Sequence, residues 1–255
     1  MRPNFDAKSE IENVVKWIKH WFIDNGENAS AVIGLSGGKD STIIAKLLTM
    51  ALGKDRVVGV LMPNGEQKDI DDAIHVAELL GIKYYIINIE DAVNGLTNQL
   101  KAFMPVSYDT AINIPPRVRM TTLYSVAQSL PNGGRVVNTC NFSEDYVGYC
   151  TKFGDSAGDF APCADFFVSE MVAMGDALDL PYELVHKTPS DGLCGKSDED
   201  NLGFSYDDIE EFITNEDSNP ASKDKIIRLH EINAHKFYSM PYYYYDDYNR
   251  RVCYR

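Results

Sequence analysis

Three short apolar runs, Ala31 to Leu35, Val57 to Met62 and Tyr84 to Ile89, are separated by stretches whose apolar residues recur at helical spacing. That alternation constrains the fold strongly, because parallel strands need long crossovers and helices to cover both faces of their sheet. Helices are expected over Ile43 to Leu52, closed by Gly53, and over Asp69 to Leu80, closed by Gly81, since glycine readily adopts the backbone that ends a helix. An opening helix carries Ile11, Val14, Val15, Ile18 and Phe22 on one stripe as far as Gly26, and the Ser9–Glu12 spacing predicts a capping box at its start. Ala92 to Phe103, Arg117 to Leu130, Tyr206 to Ile213 and Ser222 to Phe237 also read as helical, and Arg135 to Thr139 as a fourth strand. The expected fold is α/β: one domain over residues 1–255, with a doubly wound, mostly parallel sheet and helices on both faces.

With 44% hydrophobic residues, the 255-residue chain can bury a sizeable core. Its formal net charge of -14 opposes a nucleic-acid partner, whose phosphates need clustered Lys and Arg. No run approaches the roughly 18 to 20 apolar residues of a membrane span, and the first residues lack a signal-peptide pattern, so a cytoplasmic protein is expected. The five cysteines, Cys140, Cys150, Cys163, Cys194 and Cys253, form no CxxC pair, which suits packed, reduced thiols better than a zinc site.

The chemistry is concentrated in Gly34-Leu35-Ser36-Gly37-Gly38-Lys39-Asp40-Ser41, set between a strand and a helix. A Walker A loop would need glycine where Ile33 stands and Ser or Thr where Asp40 stands, and the glycines do not fall at the offsets of a dinucleotide fingerprint. The remaining pattern, SGGxDS, suits a pyrophosphate: paired glycines let backbone N–H groups approach the oxygens, the helix N-terminus adds a positive dipole end, and Ser36 and Ser41 add hydroxyl donors. An aspartate in such a nest is tolerable when a cation lies between it and the phosphates, so Asp40 reads as a magnesium ligand. The competing reading, that Ser36 and Asp40 merely cap the helix, leaves the paired glycines without a purpose.

SGGKDS resembles the loop of the PP-loop, or N-type ATP pyrophosphatase, enzymes, which cleave ATP between the α and β phosphates to adenylate an oxygen. The loop alone leaves the acceptor open. Farther along, Thr139-Cys140-Asn141-Phe142-Ser143-Glu144, Gly148, Thr151-Lys152-Phe153-Gly154-Asp155 and Asp159 resemble the GTxxxxE and TKYGDxxxD blocks of the ammonia-dependent NAD synthetases. Pro63-Asn64-Gly65 with Asp69, Asp71 and Asp72, Arg117 to Met120, Pro189-Ser190, Asp198-Glu199 with Leu202-Gly203, and His235-Lys236 follow in matching order.

The resemblance implies an adenine nucleotide alpha hydrolase-like, Rossmann-like fold. It also implies a ligase that adenylates the nicotinate carboxylate of deamido-NAD with ATP and then amidates it with ammonia, giving NAD and AMP. Carried over by position, it assigns Gly34 to Ser41, Thr139 and Ser190 to ATP, and Asp40 with Glu144 to Mg2+. Arg117, Lys152, Asp155, Asp159, His235 and Lys236 fall where the family holds the dinucleotide. It further implies a homodimer. No glutaminase domain is expected in 255 residues, so the nitrogen should arrive as ammonia.

Two departures stand out. Val168 occupies a position where the family commonly has a lysine, and Asn138 replaces the glycine that precedes the threonine. Lys39, at a variable loop position, could restore the missing charge beside the phosphates and is counted with Asp40 and Glu144 as catalytic. The long stretches Cys140 to Pro162 and Asp191 to Asp217 are candidate lids. The second holds ten carboxylates against one lysine, Lys196, a composition that usually marks a solvated segment. Two alternatives stay open at this point: another PP-loop amidating synthetase, and a non-catalytic adenine-nucleotide sensor that releases no pyrophosphate.

Overall fold

Ala31 and Ile33 point to one face of the sheet and Val32 to the other, and that alternation organises the whole core. A computed structural model describes residues 1–67, 70–187, 197–215, 220–241 and 243. Four strands, β1 (Ser30–Gly34), β2 (Val57–Leu61), β3 (Lys83–Ile86) and β4 (Gly134–Val136), form a sheet of order β3-β2-β1-β4 in which every pair is parallel. Strands buried on both faces read as continuous apolar runs, which is why β2 is buried throughout.

On the first face, Ala31, Ile33, Val57 and Leu61 pack against α1 (Ala7–Gly26), α2 (Lys39–Leu52), α3 (Ile70–Leu80), α7 (Val168–Ala177) and α8 (Tyr182–Val185). On the second, Val32, Val58, Val60 and Val136 meet α4 (Glu90–Lys101) and α5 (Tyr108–Ser129). A third apolar cluster joins α6 (Phe142–Val147) to α9 (Asp198–Leu202), α10 (Tyr206–Thr214) and α11 (Pro220–Asn233) through Val147, Leu202, Phe204, Ile209 and Ile226. The chain crosses by α2 and α3 on one side of β1, then reaches β4 on the other. This places a topological switch point between β1 and β4, where open α/β sheets leave a crevice at the strands' carboxyl ends.

Several expectations shift in detail. The opening helix is capped by Asp6, whose side chain accepts from Lys8 N–H, and Ser9 Oγ donates to Asp6 at 2.6 Å; no Ser9–Glu12 box forms. The helix expected from Arg117 begins at Tyr108, with Ser107 as its cap and Pro115 and Pro116 inside it. Arg117 and Arg119 therefore lie well past the first turn of their helix. The stretch from Val168 to Val185 supplies two helices that periodicity had not marked. Cys140 to Pro162 is tied down and makes a poor lid: it contains α6, bridges Val137 through Phe160, and closes a turn by Ala157 N–H donating to Gly154 O at 3.0 Å. In the acidic stretch, α9 and α10 both start with capping boxes, and Asp198 and Glu210 are buried, so those two carboxylates are packed where solvation was expected.

Candidate active site

The segment between β1 and α2 forms a tight loop at the switch point. Gly34 ends β1, Leu35 N–H donates to Val60 O, and the Leu35 side chain lies in the core, so only its backbone faces the loop. Gly37 has φ +77, and a Cβ there would stand 2.8 Å from Asp72 Cβ and 2.9 Å from Ala73 N. Glycine is therefore required twice at this position, by conformation and by contact with α3. Gly38 has φ -89, which any residue adopts, and a Cβ there would meet only Ser36 Oγ at 3.2 Å. Ser36 Oγ and Ser41 Oγ share a hydrogen bond of 3.1 Å, and Gly38 N–H donates to Ser36 Oγ at 3.2 Å, so the hydroxyls brace the loop across its mouth.

Lys39 and Asp40 open α2. Lys39 is only 5% exposed, and its Nζ donates to Asp40 Oδ2 at 3.0 Å. Burial lowers its pKa, but Asp40, Glu144 and Asp198 together outweigh that and hold the ammonium charged. Glu144, on α6 behind the Asn141 cap, also has a raised pKa, which for an acid favours the neutral form: burial is the largest cause, Asp40 adds repulsion, and Lys39 offsets part of both. Asp198 begins α9 and accepts from the buried Tyr206 hydroxyl at 3.3 Å. Burial, and then the nearby carboxylates, keep that phenol protonated as a donor. The fold thus gathers Lys39, Asp40, Glu144 and Asp198 from three helices into one charged group.

Asp40 Oδ1 is buried without a hydrogen-bond partner. An orphaned carboxylate oxygen beside a second carboxylate suits a hard divalent cation. Among the described residues no group of three or more His, Cys, Asp or Glu is arranged to hold a metal ion. Phosphate and water would have to complete the shell of such an ion, as is usual for magnesium.

A second group of expected residues meets around the turn at residues 148–155. Arg117 Nε donates to Lys152 O at 3.2 Å, Lys152 Nζ to His235 O at 2.7 Å, and Lys236 Nζ to Gly148 O at 2.6 Å and Cys150 O at 2.9 Å. Asp155 accepts from Thr151 N–H at 2.8 Å, and the exposed Phe153 takes a left-handed backbone with φ 63. Asp159 lies apart from these cations: its carboxylate accepts from Val136 N–H at 2.7 Å and Tyr124 OH at 3.2 Å, covering the outer edge of β4. Thr139 is half-buried just beyond β4, beside the strand that carries the loop. Ser190 lies outside the described residues.

Residues 10–251 match the NAD synthase family. The chain belongs to that family. Among its relatives, the NH(3)-dependent NAD(+) synthetase of Pyrococcus furiosus is 44% identical over 75% of this chain and 74% of its own. The structure of NMN synthetase from Francisella tularensis superposes with a TM-score of 0.85 at 31% identity, covering 94% of this chain and all 100% of that one. The NH3-dependent NAD synthetase of Campylobacter jejuni, solved in complex with the nitrate ion, gives 0.77 at 26% identity over 94% and 100%. Against that family background, Val168 is explained by packing: it starts α7, donates its N–H to Ser143 Oγ at 3.1 Å and lies against the third apolar cluster. Among the described residues, Lys39 is a cation close to these carboxylates.

Sequence reasoning missed Asp198 as a member of the charged group and Glu210 as the carboxylate behind α6. The Ser197–Asp200 and Ser205–Asp208 spacings, both capping boxes, were the signals that two ordered helices begin there.

Proposed function

We propose that this chain is an ammonia-dependent NAD synthetase acting on deamido-NAD. The observation that carries the reading is the SGGKDS loop at the switch point, with Asp40 Oδ1 orphaned beside Glu144. A carboxylate oxygen of the nicotinate attacks the α-phosphorus of ATP, pyrophosphate leaves, and a mixed anhydride forms. Ammonia then attacks the acyl carbon with its lone pair, AMP leaves with the electrons of the broken C–O bond, and one proton is released.

In the first step the problem is repulsion between a carboxylate and a polyphosphate. The N–H groups of Gly37 and Gly38, the first turn of α2 and the Ser36 and Ser41 hydroxyls would hold the phosphate oxygens. Asp40 and Glu144 would hold Mg2+, which when bound neutralises charge on the transferring phosphate. Thr139 and Ser190 are assigned to the ATP side. Arg117, Lys152, Asp155, His235 and Lys236 are assigned to the dinucleotide, whose pyrophosphate needs cations in an acidic protein. Asp159 is assigned there too, through the wall it builds beside β4. A single domain over 1–255, a homodimer and a cytoplasmic location belong to the same proposal. No helix among the described residues is long and apolar enough to cross a membrane.

Incubation with ATP, Mg2+, ammonium and deamido-NAD should yield NAD and AMP in equal amounts; AMP without NAD, or neither, would refute the activity. The likeness to an NMN synthetase favours a second reading, the same amidation on a mononucleotide. Competing the two deamidated acceptors in one reaction separates these readings by which product accumulates first.

A further inference from the structure

A lysine at the first position of a helix faces the positive end of the helix dipole, and a buried lysine forfeits its hydration. Lys39 does both, and its side chain is among the few buried charged ones. Three carboxylates compensate: Asp40 by direct hydrogen bond at 3.0 Å, Glu144 and Asp198 through the field. The ammonium therefore already occupies a place in which a cation is stabilised. It uses one oxygen of Asp40, while the other stays buried and without a hydrogen-bond partner.

We propose that Lys39 is a resident counter-cation that excludes a free divalent ion from the Asp40–Glu144 pair, so that the metal enters with the triphosphate and not before it. The argument rests on those two residues being the metal-holding pair. A fixed cation within about 4–6 Å weakens a carboxylate's hold on a proton by about 10- to 1000-fold, and a divalent ion meets the same repulsion with twice the charge. A triphosphate removes the obstacle, because its negative oxygens give both Lys39 and the metal an anionic partner. Lys39 thereby sets an order of binding, a role distinct from contact with the reacting atoms.

The test uses Mn2+ as probe and electron paramagnetic resonance on the nucleotide-free protein. The unaltered protein should take up Mn2+ weakly, Lys39→Gln should bind it at least about tenfold more tightly, and Lys39→Arg, which keeps the charge, should match the unaltered protein. Equal Mn2+ affinity in Lys39→Gln and the unaltered protein overturns the proposal. Adding Asp40→Asn to Lys39→Gln should abolish the gain; a gain that survives places the metal elsewhere and overturns the Asp40–Glu144 assignment. If Lys39→Gln does not fold, the unaltered protein decides. Uptake at micromolar Mn2+ without nucleotide, lost in Asp40→Asn, overturns the exclusion, and uptake only once a non-hydrolysable ATP analogue is present supports it. The NAD-forming assay is read separately, so its failure would leave the metal result interpretable.

Discussion

Ser143 Oγ donates to Glu210 Oε1 at 3.3 Å, joining the helix that carries Glu144 to α10 from behind. Glu210 is 3% exposed and also accepts from Ser169 N–H at 3.0 Å, from Ser169 Oγ and from the Met1 amine at 3.0 Å. One buried carboxylate thus fixes α6, α7 and α10 relative to one another.

Removing it should be expensive. Glu210→Ala leaves several buried donors unsatisfied and should lower unfolding free energy by about 2–4 kcal/mol, with Glu210→Gln milder because it keeps one acceptor. Urea denaturation of both variants checks the order; equal stability of Glu210→Ala and the unaltered protein would remove the anchor role.

Asp40→Asn keeps the volume of the side chain and its place in the first turn of α2, so the fold should survive. Turnover should drop by about 10²- to 10³-fold, the usual effect of removing a charge-stabilising group. Steady-state NAD formation alongside a melting curve separates the two effects.

The paired glycines should respond differently. Gly37→Ala forces a left-handed residue and drives Cβ into Asp72 and Ala73, so it should destabilise the protein by about 1–3 kcal/mol. Gly38→Ala meets nothing closer than 3.2 Å and should fold normally, yet weaken ATP binding because a methyl group would stand where phosphate oxygens approach the backbone. Calorimetric titration with ATP and thermal melts on both variants check this; loss of stability in Gly38→Ala would contradict it.

Asp145, the neighbour of Glu144, is pushed up to about 7 by burial and by repulsion from Asp155, with the Cys140 thiol offsetting part of the shift, and its Oδ1 has no hydrogen-bond partner. A folded-state pKa above the unfolded value means that the native state holds the proton more tightly. The associated stability is present below about pH 4 and is lost as pH rises through about 7. Asp145→Asn should therefore stabilise the protein at pH 8 by about 1–3 kcal/mol and flatten the decline in that window. Denaturant titrations at pH 5 and 8 decide it; an unchanged slope would show that Asp145 is not the titrating group.

The loop was legible in the sequence because its chemistry is local. Paired glycines, flanking serines and an acid directly before a helix need no knowledge of distant residues to be read as an anion cradle. The doubly wound sheet was legible for a similar reason: apolar runs such as Val57 to Leu61 show burial on both faces. Pro115 and Pro116 hid the first two turns of α5, because proline usually ends a helix, and so the position of Arg117 in its helix was misjudged. Asp198 and Glu210 were hidden in a run of ten carboxylates, since composition averages over side chains while burial selects among them.

The thiols illustrate the same division. Their odd number and scattered positions pointed to packing; Cys194 and Cys253 lie outside the described residues, while burial pushes Cys150 up to about 12 and Cys140 well above the usual thiol range, which leaves those two poor nucleophiles.

By itself, then, the chain's order of residues determined the strand–loop–helix alternation, the family to which it belongs and the anion-binding character of Ser36 to Ser41, because each depends on neighbours a few positions apart. Only the tertiary structure decided that Lys39 turns inward, that Glu144 and Asp198 come to it from helices more than a hundred residues away in sequence, and that Val168 faces an apolar cluster. Those outcomes follow from desolvation and close approach of distant segments, which packing creates and no local pattern encodes.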